Sequence, residues 1–190
     1  MPSLSILIGS TRPERVGLPV GEWFAERARR HGAFDVELVD LAEVGLPFLD
    51  EPHHPRLRRY TRQHTKDWSA RIDAADAFVF VTCEYNHGYP PALKNAIDFL
   101  HEEWQHKPVG FVSYGGVAAG TRAVQQLKPV LGALKMVSLP EAVAIPFAAQ
   151  HLDEDRRFQA DELIEQAAVT MVDELLRTEE ALRPLRDVAV

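Results

Sequence analysis

The feature that most constrains this chain is an alternation. Short apolar runs rich in β-branched residues and Phe take turns with longer stretches whose apolar residues recur at helical spacing. The first run, Leu4-Ser5-Ile6-Leu7-Ile8, stops at Gly9. Val20, Trp23, Phe24 and Ala28 then fall at i, i+3, i+4 and i+8, a stripe wide enough to lie on a sheet, and Gly32 ends it. Residues 36–41 form a second strand, partly alternating and so placed near a sheet edge. A long loop over 42–55 leads to a charged second helix expected over 57–74, with Trp68 and Ile72 as its apolar pair. Ala77-Phe78-Val79-Phe80-Val81 is nearly all apolar, as central parallel strands covered on both faces are. Pro91 suits the first turn of a third helix whose stripe is Leu93, Ala96, Ile97 and Leu100. A fourth strand follows over 109–113, then a fourth helix over 119–134 with a kink at Pro129. A fifth strand is expected over 136–139. In the last and longest helix Leu163, Ile164, Ala167, Ala168, Met171, Val172, Leu175 and Leu176 make a broad double stripe.

Five strands separated by helices predict an α/β three-layer doubly wound fold: a five-stranded parallel sheet with right-handed crossovers and helices on both faces. The most apolar runs are strands one, three and four, which suits the order 2-1-3-4-5. With 190 residues, about 70% of the unfolded surface can be buried, enough for one core, so residues 1–190 are read as a single domain. The 28 acidic against 21 basic residues give a formal charge of −7, and only residues 56–64 are locally basic, which argues against nucleic acid as a partner. No apolar run approaches the ~20 residues of a membrane span. The single cysteine, Cys83, has no internal disulfide partner, and the N-terminus enters strand-like sequence without a secretory pattern, so a cytoplasmic location is expected.

In such sheets ligands bind beyond the carboxyl ends of the strands where the order reverses, here between strands one and three. Three loops meet there. After strand one, Gly9-Ser10-Thr11-Arg12-Pro13-Glu14-Arg15-Val16-Gly17 places hydroxyls, guanidinium groups and glycines just before a helix N-terminus, a combination suited to phosphate. The plainer alternative is a Ser or Thr helix cap with surface arginines. The loop lacks both the Walker pattern and Gly-x-Gly-x-x-Gly, so Asp40 is not read as a ribose-binding acid. After strand three, residues 82–98 are dense in aromatic and hydrogen-bonding side chains. After strand four, Ser113-Tyr114-Gly115-Gly116-Val117-Ala118-Ala119-Gly120 lets backbone approach a flat ligand closely. A phosphate loop beside two such loops describes a nucleotide with a planar ring.

Other constellations carry less. His101 and His106 are five apart, which on an α-helix leaves their rings about 140° apart, so no metal site is expected. His53-His54 lacks a third ligand at recognisable spacing, and Ser113 would need glycine at Phe111 to be a nucleophile elbow. Cys83 is read as a packed thiol, His87 as a loop histidine satisfied by backbone, and Arg56, Arg58, Arg59 and Arg62 as a solvated helix face before a binder of a ligand phosphate.

Gly9-Ser10-Thr11-Arg12, Glu84-Tyr85-Asn86 leading into Lys94-Asn95-Ala96-Ile97-Asp98, and Ser113-Tyr114-Gly115-Gly116 resemble the NAD(P)H-dependent FMN reductase family over nearly the whole chain. The resemblance implies a flavodoxin-like fold with non-covalent FMN, reduced by NADPH or NADH and reoxidised by a small-molecule acceptor such as a flavin or quinone. It implies that Ser10, Thr11, Arg12, Arg15 and Gly17 hold the phosphate. Glu84, Tyr85 and Asn86 would then border the ring, and Ser113, Tyr114, Gly115 and Gly116 would close its other edge. The chain departs from many relatives at Cys83, where they have Pro, and at Arg15, where they have Ser or Thr. With FMN the hydride passes from nicotinamide C4 to flavin N5 without a side-chain acid or base. The N–H groups of Gly115 and Gly116 are expected to stabilise charge near N1, and the kinetics to be ping-pong. An electron carrier or a flavin-binding redox sensor are the readings of other classes. Phe99, Leu100 and Trp104 add apolar surface to the third helix beyond its stripe, which with the family likeness predicts a homodimer or a dimer of dimers. The alternative is that they pack within one chain.

Overall fold

The computed structural model describes residues 1–187. Its frame is a five-stranded sheet, β1 (Ser3–Ile8), β2 (Asp35–Asp40), β3 (Ala77–Cys83), β4 (Pro108–Tyr114) and β5 (Val137–Ile145), in the order β2-β1-β3-β4-β5 with every neighbouring pair parallel. This is the flavodoxin-like order the apolar runs predict. The helices are α1 (Gly17–His31), α2 (Leu41–Val44), α3 (Gln63–Asp73), α4 (Pro91–Asp98), α5 (Thr121–Ala133) and α6 (Glu162–Asp187). They divide between the two faces. Successive strand residues point to opposite sides, so Leu4, Ile6, Val79, Val81, Val112 and Tyr114 join the core under α1 and α6. Leu7, Phe78, Phe80, Val109 and Phe111 join the core under α3, α4 and α5.

Four departures from the sequence reading have physical causes. The charged helix starts only at Gln63; Pro55–Leu57 is a separate 3-10 turn, which stops where Arg58 takes a left-handed backbone (φ 46°). The basic residues over 56–62 therefore lie on no helix face: Arg58 pairs with Asp73, Glu102 and Glu103, and Arg62 with Asp50. The third helix ends at Asp98, so Phe99, Leu100 and Trp104 are not a surplus helix face. All three are buried, with the Trp104 ring 5.0 Å from Phe78 and its N–H donated to the Ile97 carbonyl at 3.1 Å. The helix-surface argument for a dimer falls with them. Leu163, placed in the apolar double stripe of the last helix, is 81% exposed in the first turn of α6. Finally, β5 runs on to Ile145. A bulge carries it past Pro140, the pairing shifting from Val109–Ser138 to Phe111–Ala142, and an edge strand tolerates a residue that cannot donate to the ladder.

A candidate flavin site at the carboxyl end of the sheet

The loops after β1, β3, β4 and β5 converge on a cleft of about 230 Å³. Seven of the twelve residues expected at the site line it: Ser10, Arg12, Arg15, Glu84, Tyr85, Tyr114 and Gly115. Thr11 faces the neighbouring hollow, between Leu41, Ala42 and the first turns of α4. Ser113 does not reach the cleft, because alternation along β4 puts it on the α5 side, opposite Tyr114. Asn86 and Gly116 are exposed at the rim, and Gly17 lies beneath Tyr114.

The start of α1 carries no side-chain cap. Its N-cap residue is Val16, which offers no side-chain acceptor, and the first turn carries no acid. The N–H groups of the first helical residues have no intrahelical partner, and Pro19 brings none. Ser10, the candidate cap, is instead buried with its hydroxyl 2.7 Å from that of Tyr85. Arg12 is exposed and makes no ion pair among the described residues, so its charge is uncommitted. Arg15 differs: it pairs with Asp40, which also accepts from the Ala42 N–H at the start of α2. The Arg15 charge is thereby compensated, although its Nε is buried without a partner. This pairing also gives Asp40 a role other than ribose binding.

The Glu84-Tyr85-Asn86 segment divides into three tasks. Glu84 pairs with Arg122 of α5, and that hydrogen bond holds its carboxyl below the usual range despite burial; one oxygen stays buried and unpartnered. Tyr85 bonds Ser10, and burial pushes its phenol up. Asn86 and His87 both have positive φ, 49° and 71°, as the central pair of a two-residue turn closed by mutual Tyr85–Gly88 backbone bonds of 2.8 and 2.9 Å. Asn and His are among the few side chains that tolerate this conformation. In the opposite wall the Gly115 N–H donates to the Ile145 carbonyl at 3.2 Å, so it is not free to stabilise a ligand, and that expectation passes to Gly116 alone. Four cleft residues were not expected there: Val16, Cys83, Ala148 and Ala149. Ala148 and Ala149 follow β5, and a strand read to its true end would have pointed to them. Cys83 is the last residue of β3, buried opposite Tyr114.

Four loops meet at the carboxyl ends of a doubly wound sheet around a cleft lined by two phenols and the Gly115 backbone, in a flavodoxin-like fold. Sequence comparison gives the family. Residues 2–150 match the profile of the NADPH-dependent FMN reductases. An NAD(P)H-dependent FMN reductase of Schizosaccharomyces pombe is 44% identical over 146 residues, 76% of this chain and 72% of the relative. One of Saccharomyces cerevisiae is 36% identical over 164 residues, 80% and 85% of the two chains. Among solved structures, FerB, a flavoenzyme NAD(P)H:(acceptor) oxidoreductase from Paracoccus denitrificans, superposes with a TM-score of 0.74 at 24% identity, covering 95% of this chain and 98% of that one. The chain belongs to the NADPH-dependent FMN reductase family, and so to the NAD(P)H-dependent oxidoreductases.

Proposed function

We propose that the cleft holds FMN and that the protein passes electrons from NADPH or NADH to a small-molecule acceptor such as a flavin or quinone. The observation that carries this reading is that uncommitted Arg12 and Val16, the uncapped start of α1, line one cleft together with Tyr85, Tyr114 and Gly115. The residues fit a phosphorylated flavin: donors and positive charge at one end, aromatic and glycine surface along the rest. When bound, FMN supplies a ring that accepts hydride from the nicotinamide and delivers it to the acceptor. The chain's own part is binding, orientation and electrostatics. Arg12 and Ser10 fix the phosphate, the Asn86–His87 turn shapes the ring wall, and the Gly116 N–H provides a fixed dipole toward negative charge on the ring. No side chain is assigned as acid or base. With FMN held there, donor and acceptor would reach it in turn through the same cleft, which would give ping-pong kinetics.

Residues 1–190 serve as one FMN-binding domain in this reading, and a single buried cysteine suits a reducing cytoplasm. No helix among the described residues is long and apolar enough to cross a membrane. The family likeness implies a homodimer or a dimer of dimers, for which exposed Phe48, Leu49 and Val117 offer apolar surface. Mixing protein, FMN and NADPH without oxygen tests the activity, with sedimentation of the same sample for the assembly. The flavin absorbance is expected to bleach directly. Oxidised flavin that persists with either nicotinamide would point to a carrier or sensor.

A further inference from the structure

One buried polar group at the site is left over. Tyr114 is 5% exposed, and its hydroxyl, although the Cys83 thiol and the Ser10 hydroxyl are its polar neighbours, makes no well-formed hydrogen bond to either. Strand alternation turns its side chain to the α1 face, where the hydroxyl stands over Gly17: a Cβ built on Gly17 would lie 2.3 Å from that oxygen. Gly17 is the first residue of the 15-residue α1, whose N-terminus has no side-chain cap and no acid in its first turn. An under-satisfied donor and an uncapped helix start thus lie side by side, next to a cleft that Tyr114, Ser10 and Arg12 line together. Burial, with Cys83 beside it, pushes the phenol well above its ordinary range, so it remains a donor. A buried donor without a partner is costly to keep, and such groups persist where a ligand completes them.

We propose that Tyr114 is a phosphate-end residue, its hydroxyl donating to the terminal phosphate of FMN at the start of α1 beside Ser10 and Arg12, and not a ring-edge residue. This rests on the FMN reading of the cleft. It also explains two neighbours. Gly17 has no side chain because the phenol occupies that space, and Ser113, one residue earlier on the strand, faces away and takes no part.

Titration of the flavin-free parent and the Tyr114→Phe variant with FMN and with riboflavin, together with thermal melts of both flavin-free proteins, tests the assignment. A hydrogen bond to a charged group is lost only for FMN, so its Kd is expected to rise about 10- to 100-fold while that of riboflavin moves less than about twofold. Removing an unsatisfied buried hydroxyl should raise the melting temperature of the flavin-free protein by about 2–4 °C. Equal losses for the two flavins would put Tyr114 at the ring or in the fold and overturn the proposal. Unchanged FMN affinity would overturn it, as would a lower melting temperature, which would mean the hydroxyl already has a structural partner. A parent protein that binds neither flavin would overturn the FMN reading itself, and this assignment with it.

Discussion

At the amino ends of the strands a network of polar groups closes on itself, although Nδ1 of His31 at the end of α1 stays open there; at the carboxyl ends, several groups around the cleft are left open. Ser3 donates its N–H to Asp76 at 2.8 Å and its hydroxyl to the Ala74 carbonyl at 2.7 Å. Buried Lys107 donates to the carbonyls of Ile72 and Asp73 at 2.9 and 3.0 Å, closing the C-terminal end of α3. Arg186, late in α6, reaches the His106 carbonyl at 3.0 Å, Glu179 at 2.6 Å and Asp76 at 3.3 Å, and Arg183 completes Glu179. At the other end the Tyr114 hydroxyl, one oxygen of Glu84 and Nε of Arg15 are buried without partners. A sequence that satisfies its buried polar groups in one place and not in another is stable through the first and available to a ligand through the second. This latch of Arg183, Arg186 and Glu179 belongs to α6, which lies beyond the residues matched to the family profile, whereas the loops of the cleft lie within them up to residue 150.

The closed end is most sensitive at Glu179. Its carboxylate is fully buried and accepts from two arginines, one of them half exposed. Glu179→Ala should cost about 3 kcal/mol of stability, the lower part of the range for removing one partner of a buried pair because Arg183 reaches solvent. Urea denaturation reads that loss, and FMN affinity of the folded protein should be unchanged; a parallel loss of affinity would mean that the two ends are coupled. Arg12→Ala should do the reverse. Taking a charged donor from a dianion is worth roughly 1.5–3 kcal/mol, an FMN affinity about 10- to 150-fold lower with riboflavin hardly affected. The melting of the flavin-free variant should match the parent, since Arg12 is exposed and without an ion pair among the described residues. A shifted melting temperature would assign Arg12 to the fold.

The latch was illegible in the sequence and the cleft largely legible, for physical reasons. Sheet order followed from which runs are apolar on both faces, and the crevice from the order. Both depend on periodicity, which a single sequence displays. The alternation along β4 was also on view, yet Ser113 to Gly116 were read as one edge; period two already requires Ser113 and Tyr114 to face apart. Ala148 and Ala149 were hidden by Pro140, which reads as a strand end unless the strand is known to lie at an edge. Trp104 looks like surface on a helix that continues through Phe99, whereas α4 ends at Asp98. Only the contacts with Phe78 and Phe80 show that the chain turns inward there. Arg186, Glu179 and Asp76 are up to 110 residues apart, and no local pattern brings them together.

The smallest expected effect lies at the rim, where the open end borders on the closed kind of chemistry. Glu84 and Arg122 tie the β3 loop to the first turn of α5, one carboxylate oxygen paired and the other not. Because Arg122 is about half exposed, its pull on Glu84 is screened, and Arg122→Ala should cost only about 1 kcal/mol at neutral pH. The sign of the pH dependence follows from the direction of the shift. The folded carboxyl lies below its unfolded value near 4.5, so the pair stabilises above that pH and its contribution is lost as pH falls through the folded value. In the variant, burial acts on Glu84 without Arg122 to oppose it, and its carboxyl should move up. The stability gap between parent and Arg122→Ala should therefore be widest at neutral pH and close as both carboxyls protonate. Glu84→Gln, which removes the charge, should differ from the parent less at low pH than at pH 7. Denaturation curves at neutral and acid pH measure the gap. If it stays constant with pH, Arg122 acts through α5 packing and not through Glu84, and the rim belongs with the closed end of the molecule.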